Sequence, residues 1–147
     1  MIQIFVRCIP PAVTAQQKRV HYVNGKPVFF HGAKMREQTN TWTSLLQPYQ
    51  PDKPLDGPLE LSIRLVYPHL KSTKPRDVPK LLPKTSRPDV GNATKHLEDL
   101  LTRLRFIEDD ARVARLLVEK FWGPESKVGI YINITGIADD QDLQTLF

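Results

Sequence analysis

The sequence predicts an α+β domain: a mainly antiparallel or mixed sheet with two principal helices packed on it. Three observations carry this. "LELSIRLVY" (59–67) alternates apolar and polar residues with the period of a half-buried strand. Leu97, Leu100, Leu101 and Leu104 recur at helical spacing, marking a core-facing stripe over residues 92–105. "KVGIYINIT", after Gly123-Pro124, alternates again, with Val128, Ile130, Ile132 and Ile134 on one side.

The remaining elements follow in order. "IQIFV" (2–6) is a short strand, stopped by Pro10-Pro11, because proline cannot donate to a ladder. Asn24-Gly25 between Val- and Phe-containing flanks signals a hairpin, since both residue types accept the positive φ of a tight turn. Residues 33–47 can form a helix, ended by Pro48. Residues 112–122, "RVARLLVEKFW", fit a strand joined by a turn to the one at 128–134, although their periodicity also allows a helix. A single domain over 1–135 is expected, with the acidic tail 136–147 loosely ordered or forming a protomer contact.

At 147 residues the chain suffices for one domain with a core, and 40% hydrophobic with 25% charged residues argues against wholesale disorder. No apolar run is long enough to span a bilayer, and the N-terminus lacks a signal-peptide pattern, so a cytoplasmic location is expected. The single cysteine, Cys8, reads as a small core residue, and the four histidines have no zinc-type spacing.

The net charge of +5 is unevenly spread. Between Pro68 and Pro88, Lys71, Lys74, Arg76, Lys80, Lys84 and Arg87 face one acid, Asp77. Pro75, Pro79 and Pro83 break regular structure there, which predicts an exposed, extended loop. Such a loop is either solubilising surface or a phosphate-binding arm.

Immediately after it comes "RPDVGNATK" (87–95). On a helix of 100° per residue, Lys95 and Asp99 project together, away from the leucine stripe. Asp89 sits just before the helix, where free backbone N–H groups favour negative charge, and Asn92 can cap or brace that turn. A carboxylate before the helix, a lysine and a carboxylate on its outer face, and Asp109-Asp110 beyond it suggest a divalent-metal site. Mg²⁺ prefers oxygen ligands and keeps several waters, so two or three carboxylates suffice beside a phosphate. Taken singly, each residue also has a plain reading: Asp89 as a turn acid, Lys95 and Asp99 as a solvated i,i+4 pair, Asp109-Asp110 as the start of the next element.

The block "RPDVGNATKHLEDLL…FIEDDARVARLLVEKFWG" resembles the RusA family of Holliday junction resolvases, closely over 87–123 and more loosely from the N-terminal "P…QQKRV…K" pattern to the closing strand. The resemblance implies a RusA-like fold and a homodimeric, Mg²⁺-dependent endonuclease of bacterial or phage origin, with Mn²⁺ as a substitute ion. Such an enzyme resolves four-way DNA junctions by paired symmetric nicks in recombination and repair. It assigns Asp89, Lys95 and Asp110 to catalysis, and Asp89, Asp110 and Asp99 to the metal. Asn92 and Asp109 become supporting positions, and Lys71, Lys74, Arg76, Lys80, Lys84 and Arg87 become phosphate contacts that read no bases. One position departs: Gly91 stands where the family pattern carries a second aspartate.

Two other readings stay open. A chain of the same fold weakened in catalysis by Gly91 would bind junctions without nicking them. A small interaction protein, kept soluble by its charged loop, would show no salt-sensitive DNA retention.

Overall fold

The computed structural model describes residues 1–11, 18–31 and 33–138, so most of the acidic tail expected at 136–147, and part of the "QQKRV" pattern, lie outside the described residues. Its strands are β1 (Ile2–Val6), β2 (Lys18–Val23), β3 (Lys26–His31), β4 (Leu59–Pro68), β5 (Leu82–Pro83), β6 (Val113–Gly123) and β7 (Gly129–Gly136), and its helices are α1 (Ala33–Leu46) and α2 (Val90–Arg103). β2 and β3 form a separate hairpin, turned by Asn24 and Gly25 at φ 53° and 74°. The other strands form one sheet in the order β1-β7-β4-β6-β5.

Most pairings are antiparallel, but β4 and β6 run parallel along their whole length. A parallel neighbour cannot be reached by a tight turn; it needs a crossover, supplied here by the basic loop and α2. β6 and β7, consecutive in sequence and joined by a 3-10 turn at Glu125–Lys127, do not pair, because β4 lies between them.

Both helices cover one face of the sheet. Ile4, Leu61, Ile63, Leu65, Ile130, Ile132 and Ile134 form one buried cluster with Trp42 and Leu46 of α1 and Leu97, Leu100 and Leu101 of α2. Leu104, the last residue of the predicted stripe, only packs partly against it. Each fully buried aliphatic side chain contributes roughly 1.5–3 kcal/mol, so this stripe anchors α2. The alternation of β4 holds: Leu59, Leu61, Ile63 and Leu65 are buried, while Glu60, Ser62 and Arg64 face outward. Close packing reaches the backbone at Gly129, where an added Cβ would lie 2.5 Å from the Val6 carbonyl oxygen. Among the described residues, no helix is long and apolar enough to cross a membrane.

Two features of this topology set up the functional surface. α2 returns antiparallel to β6, so the N-terminus of α2 lies by the C-terminal end of β6, and its C-terminus by the start of β6. Beyond β6, β5 covers only Phe121 and Trp122. Residues 113–119 of β6 therefore have no strand partner on that edge among the described residues, and Leu116 and Leu117 are 46% and 53% exposed.

Candidate active site

Asp89 is the N-cap residue of α2 by backbone conformation, at φ −63° and ψ 141°, but its carboxylate makes no capping hydrogen bond. Instead it accepts a 3.5 Å contact from the Asn92 side-chain amide. The carboxylate is thus braced from the first turn of the helix while staying on the exposed surface. Lys95 and Asp99 are also exposed on α2, opposite the buried leucines, as their spacing predicts.

At the other end of α2, Asp109 caps a short 3-10 turn, its carboxylate accepting from the Ala111 N–H at 2.9 Å. That hydrogen bond, together with one from Asp110, holds Asp109 below the usual carboxylate range. Asp110 is pushed up, first because it is the proton-bearing partner in its hydrogen bond with Asp109, then by slight desolvation and by the charges of Asp109 and Asp99. Glu98 is pushed up as well, by partial burial first and then by Asp110 and Asp99, with Lys95 opposing. The result is a crowded patch of like charge made of Glu98, Asp99, Asp109 and Asp110. Sequence reading missed Glu98; its place beside Asp99 at the edge of the leucine stripe was the available signal.

Asp89 does not belong to this patch. From Asp89 to Asp99 the helix rises about 15 Å, more than two aspartates can bridge through one Mg²⁺ ion. Asp89 is farther still from Asp110. Its neighbour Pro88 touches Lys120, and β6 alone spans about 23 Å between Val113 and Lys120. Among the described residues, no three Asp, Glu, His or Cys side chains converge on a point that could hold a metal ion. The expected set of Asp89, Asp99 and Asp110 is therefore not assembled within one chain, because α2 separates its members along its length.

The basic loop also departs from expectation at one residue. Lys71, Lys74, Arg76, Lys80 and Arg87 are exposed, and among the described residues only Lys80 of these forms an ion pair, with Asp77 at 3.3 Å. The loop is not wholly extended: Pro75–Asp77 make a 3-10 turn, and Leu82–Pro83 pair with β6. That pairing carries Lys84 inward. Lys84 is only 7% exposed, with its ammonium 4.1 Å from the centre of the Trp122 ring and 5.0 Å from that of Tyr67. Lys84 is therefore not an open phosphate contact; it sits under the loop. Burial, and then the charge of Lys120, push its pKa down. Tyr67, pushed up to about 12 by burial, stays a neutral wall of the same box.

Gly91 has ordinary helical backbone, and a Cβ added there meets nothing within 4 Å among the described residues. Neither conformation nor crowding requires glycine at this position.

A family model described as Endodeoxyribonuclease RusA matches residues 9–135. The chain belongs to the RusA endodeoxyribonuclease family. It is 32% identical over 124 residues to the crossover junction endodeoxyribonuclease rusA of Lactococcus phage r1t, covering 81% of this chain and 87% of the phage protein. It is 29% identical over 115 residues to the uncharacterized protein YqaN of Bacillus subtilis (strain 168), covering 74% and 80% of the two chains. The RusA match spans α2, β6 and the loop between them, so the segments bearing Asp89, Lys95, Asp99 and Asp110 all lie within it.

Proposed function

We propose that this chain is a crossover junction endodeoxyribonuclease that resolves four-way DNA junctions as a homodimer whose two sites are each completed by both copies. The observation that carries the reading is the separation of Asp89 from Asp110 by the length of β6, in a family of endodeoxyribonucleases. A second copy removes that separation. If two β6 strands pair antiparallel through their open edges, about a twofold axis near Leu116 and Leu117, the acidic start of one β6 meets the basic end of the other. Asp109 and Asp110 of one copy then approach Asp89 of its partner beside the exposed Arg87, an arrangement favoured by the opposite charge of that arginine. Both sites form together, as two symmetric nicks require.

The donor set suits a hard divalent cation. Asp99, Asp109 and Asp110 offer oxygens only, and as neighbours of one sign they build a negative potential that a cation would neutralise. Asp110 with Asp99 from one copy and Asp89 from the other would hold Mg²⁺, or Mn²⁺ in its place. When bound, the ion lowers the pKa of water and neutralises charge on a phosphoryl oxygen. Lys95, exposed on the same helix, stabilises the negative charge that develops on the scissile phosphate. Asn92 keeps the Asp89 carboxylate facing outward rather than folded onto the helix N-terminus. Lys71, Lys74, Arg76, Lys80 and Arg87 grip flanking phosphates, which makes binding steeply salt-dependent.

The test is a labelled four-way junction incubated with the protein and Mg²⁺. Paired nicks at symmetric positions support the reading; no cleavage, at any Mg²⁺ concentration that allows binding, contradicts it. The weakened-catalyst alternative has a specific observation in its favour, the open space around Gly91, which an aspartate could fill. That alternative predicts that Gly91→Asp turns a binder into a nuclease.

A further inference from the structure

Lys120 lies on the face of β6 that points to the helices, at the apolar parity of Val118 and Trp122, and neither the loop nor the acidic patch accounts for it. Its ammonium donates to two carbonyl oxygens, of Ser86 and of Pro88, each at 2.6 Å. Its own carbonyl accepts from the Lys84 N–H at 3.0 Å. Lys84 in turn donates through its ammonium to the Ser86 hydroxyl. Two lysines therefore hold the 86–88 turn from below, one of them covered by Tyr67 and Trp122. Neither forms an ion pair among the described residues. Two like charges held close without an acid repel each other, and the compensation is the pair of carbonyl dipoles that Lys120 grips and, for Lys84, the Ser86 hydroxyl and the faces of Tyr67 and Trp122.

Pro88 donates the peptide group that leads into Asp89. The Asp89 carbonyl accepts the first helical hydrogen bond, from the Ala93 N–H at 3.1 Å. A residue that fixes the Pro88 carbonyl thus fixes where the helix starts, and with it the base from which the Asp89 carboxylate projects. Because that carboxylate does not cap the helix, its direction rests on this base and on Asn92.

We infer that Lys120 is a positioning residue for Asp89: bound to the Ser86 and Pro88 carbonyls, it holds the turn that presents the carboxylate to the reacting phosphate and its metal, while Lys84 locks the same turn through Ser86. The inference rests on the nuclease reading above for its effect on rate, but the holding of the turn can be observed without it. Lys120 touches no substrate. Its role is geometric, and misplacement of a reacting group by about 1 Å can cost on the order of 100-fold in rate.

The experiment compares the full-length protein with Lys120→Met, which keeps an unbranched stem one atom shorter and removes its donors, and with Lys120→Arg, which restores them. Single-turnover cleavage of a four-way junction with Mg²⁺ is expected to slow about 100-fold in Lys120→Met, with junction affinity and its salt dependence unchanged, and to recover in Lys120→Arg. Amide hydrogen exchange is expected to accelerate at residues 87–92 only, with β4 and β7 as protected as before. Unchanged cleavage, or a fall in affinity matching the fall in rate with a shallower salt dependence, overturns the inference, the latter because it marks a direct phosphate contact. Uniform loss of protection with no recovery in Lys120→Arg also overturns it. If the unaltered protein cleaves no junction, the nuclease reading falls, and the exchange pattern alone decides whether Lys120 holds the turn.

Discussion

The two ends of β6 are opposites. At its start, Asp109 and Asp110 stand exposed with Asp99 and Glu98 nearby, and Asp110 is pushed up, first by its hydrogen bond with Asp109 and also by the charges of Asp109 and Asp99. At its far end, Lys84 and Lys120 are drawn under a turn, one boxed by aromatic rings, both engaged by backbone or hydroxyl oxygens. The first end gathers carboxylates at the exposed surface; the second is a scaffold whose charges are already spent on the protein. Asp89 belongs to the second end and Asp110 to the first. A reaction that uses both has to bring unlike ends together, and the open edge of β6 between them offers the means.

The largest effects should come from removing the acid at either end. Asp89→Asn and Asp110→Asn are each expected to lower junction cleavage by about 10³-fold or more while leaving junction binding nearly intact, as measured by single-turnover kinetics and mobility shift. Equal loss from both ends sharpens the comparison. Full activity after either change breaks it.

Next comes the edge itself. Leu116→Asp places a buried charge at an interface built from two β6 strands and is expected to weaken dimerisation by about tenfold or more, seen by sedimentation, with cleavage following the dimer fraction. The substituted chain should stay folded, because Leu116 lies outside the buried core cluster.

Gly91→Asp tests the scaffold end. A side chain there meets no neighbour, and an acid in the first turn suits the helix dipole, so stability to urea should rise by roughly 1 kcal/mol. Cleavage is expected to change by no more than a factor of a few. A switch from inactive to active would instead favour the weakened-catalyst reading.

The smallest effect concerns Glu98. Its pKa is raised in the folded chain, so it costs stability as pH rises through that value and costs nothing below the unfolded value, where it is protonated in both states. Glu98→Gln is therefore expected to stabilise the protein by a few tenths of a kcal/mol near pH 7 without metal, and not near pH 3. Thermal melts at the two pH values check the sign.

Much of this was legible in the chain. The alternation of Leu59, Leu61, Ile63 and Leu65, the leucines of α2 and the Asn24-Gly25 turn each depend on local periodicity or backbone preference, and each stands in the structure where predicted. Asp89, Lys95, Asp99 and Asp110 were readable as residues but not as a constellation. Whether they meet depends on β6 running parallel to β4, a tertiary fact that sends α2 back along the strand and parts Asp89 from Asp110. The proline-rich loop makes Lys84 read as a surface cation. Its burial depends on Leu82–Pro83 pairing with Phe121 and Trp122, which no short-range pattern announces. Lys120 had a signal, a lysine on the apolar side of "LLVEKFW", that only a known strand direction makes readable.

The claim that each site is built from two copies is tested most directly by mixing. Asp89→Asn and Asp110→Asn proteins, each inactive alone, are combined under conditions that let subunits exchange, then given a four-way junction and Mg²⁺. Mixed dimers hold one site with both acids removed and one with both intact, so the account predicts that cleavage returns as a single nick per junction. If each site lay within one chain, every mixed dimer would carry a defect in both, and a mixture as inactive as its parents would contradict the account.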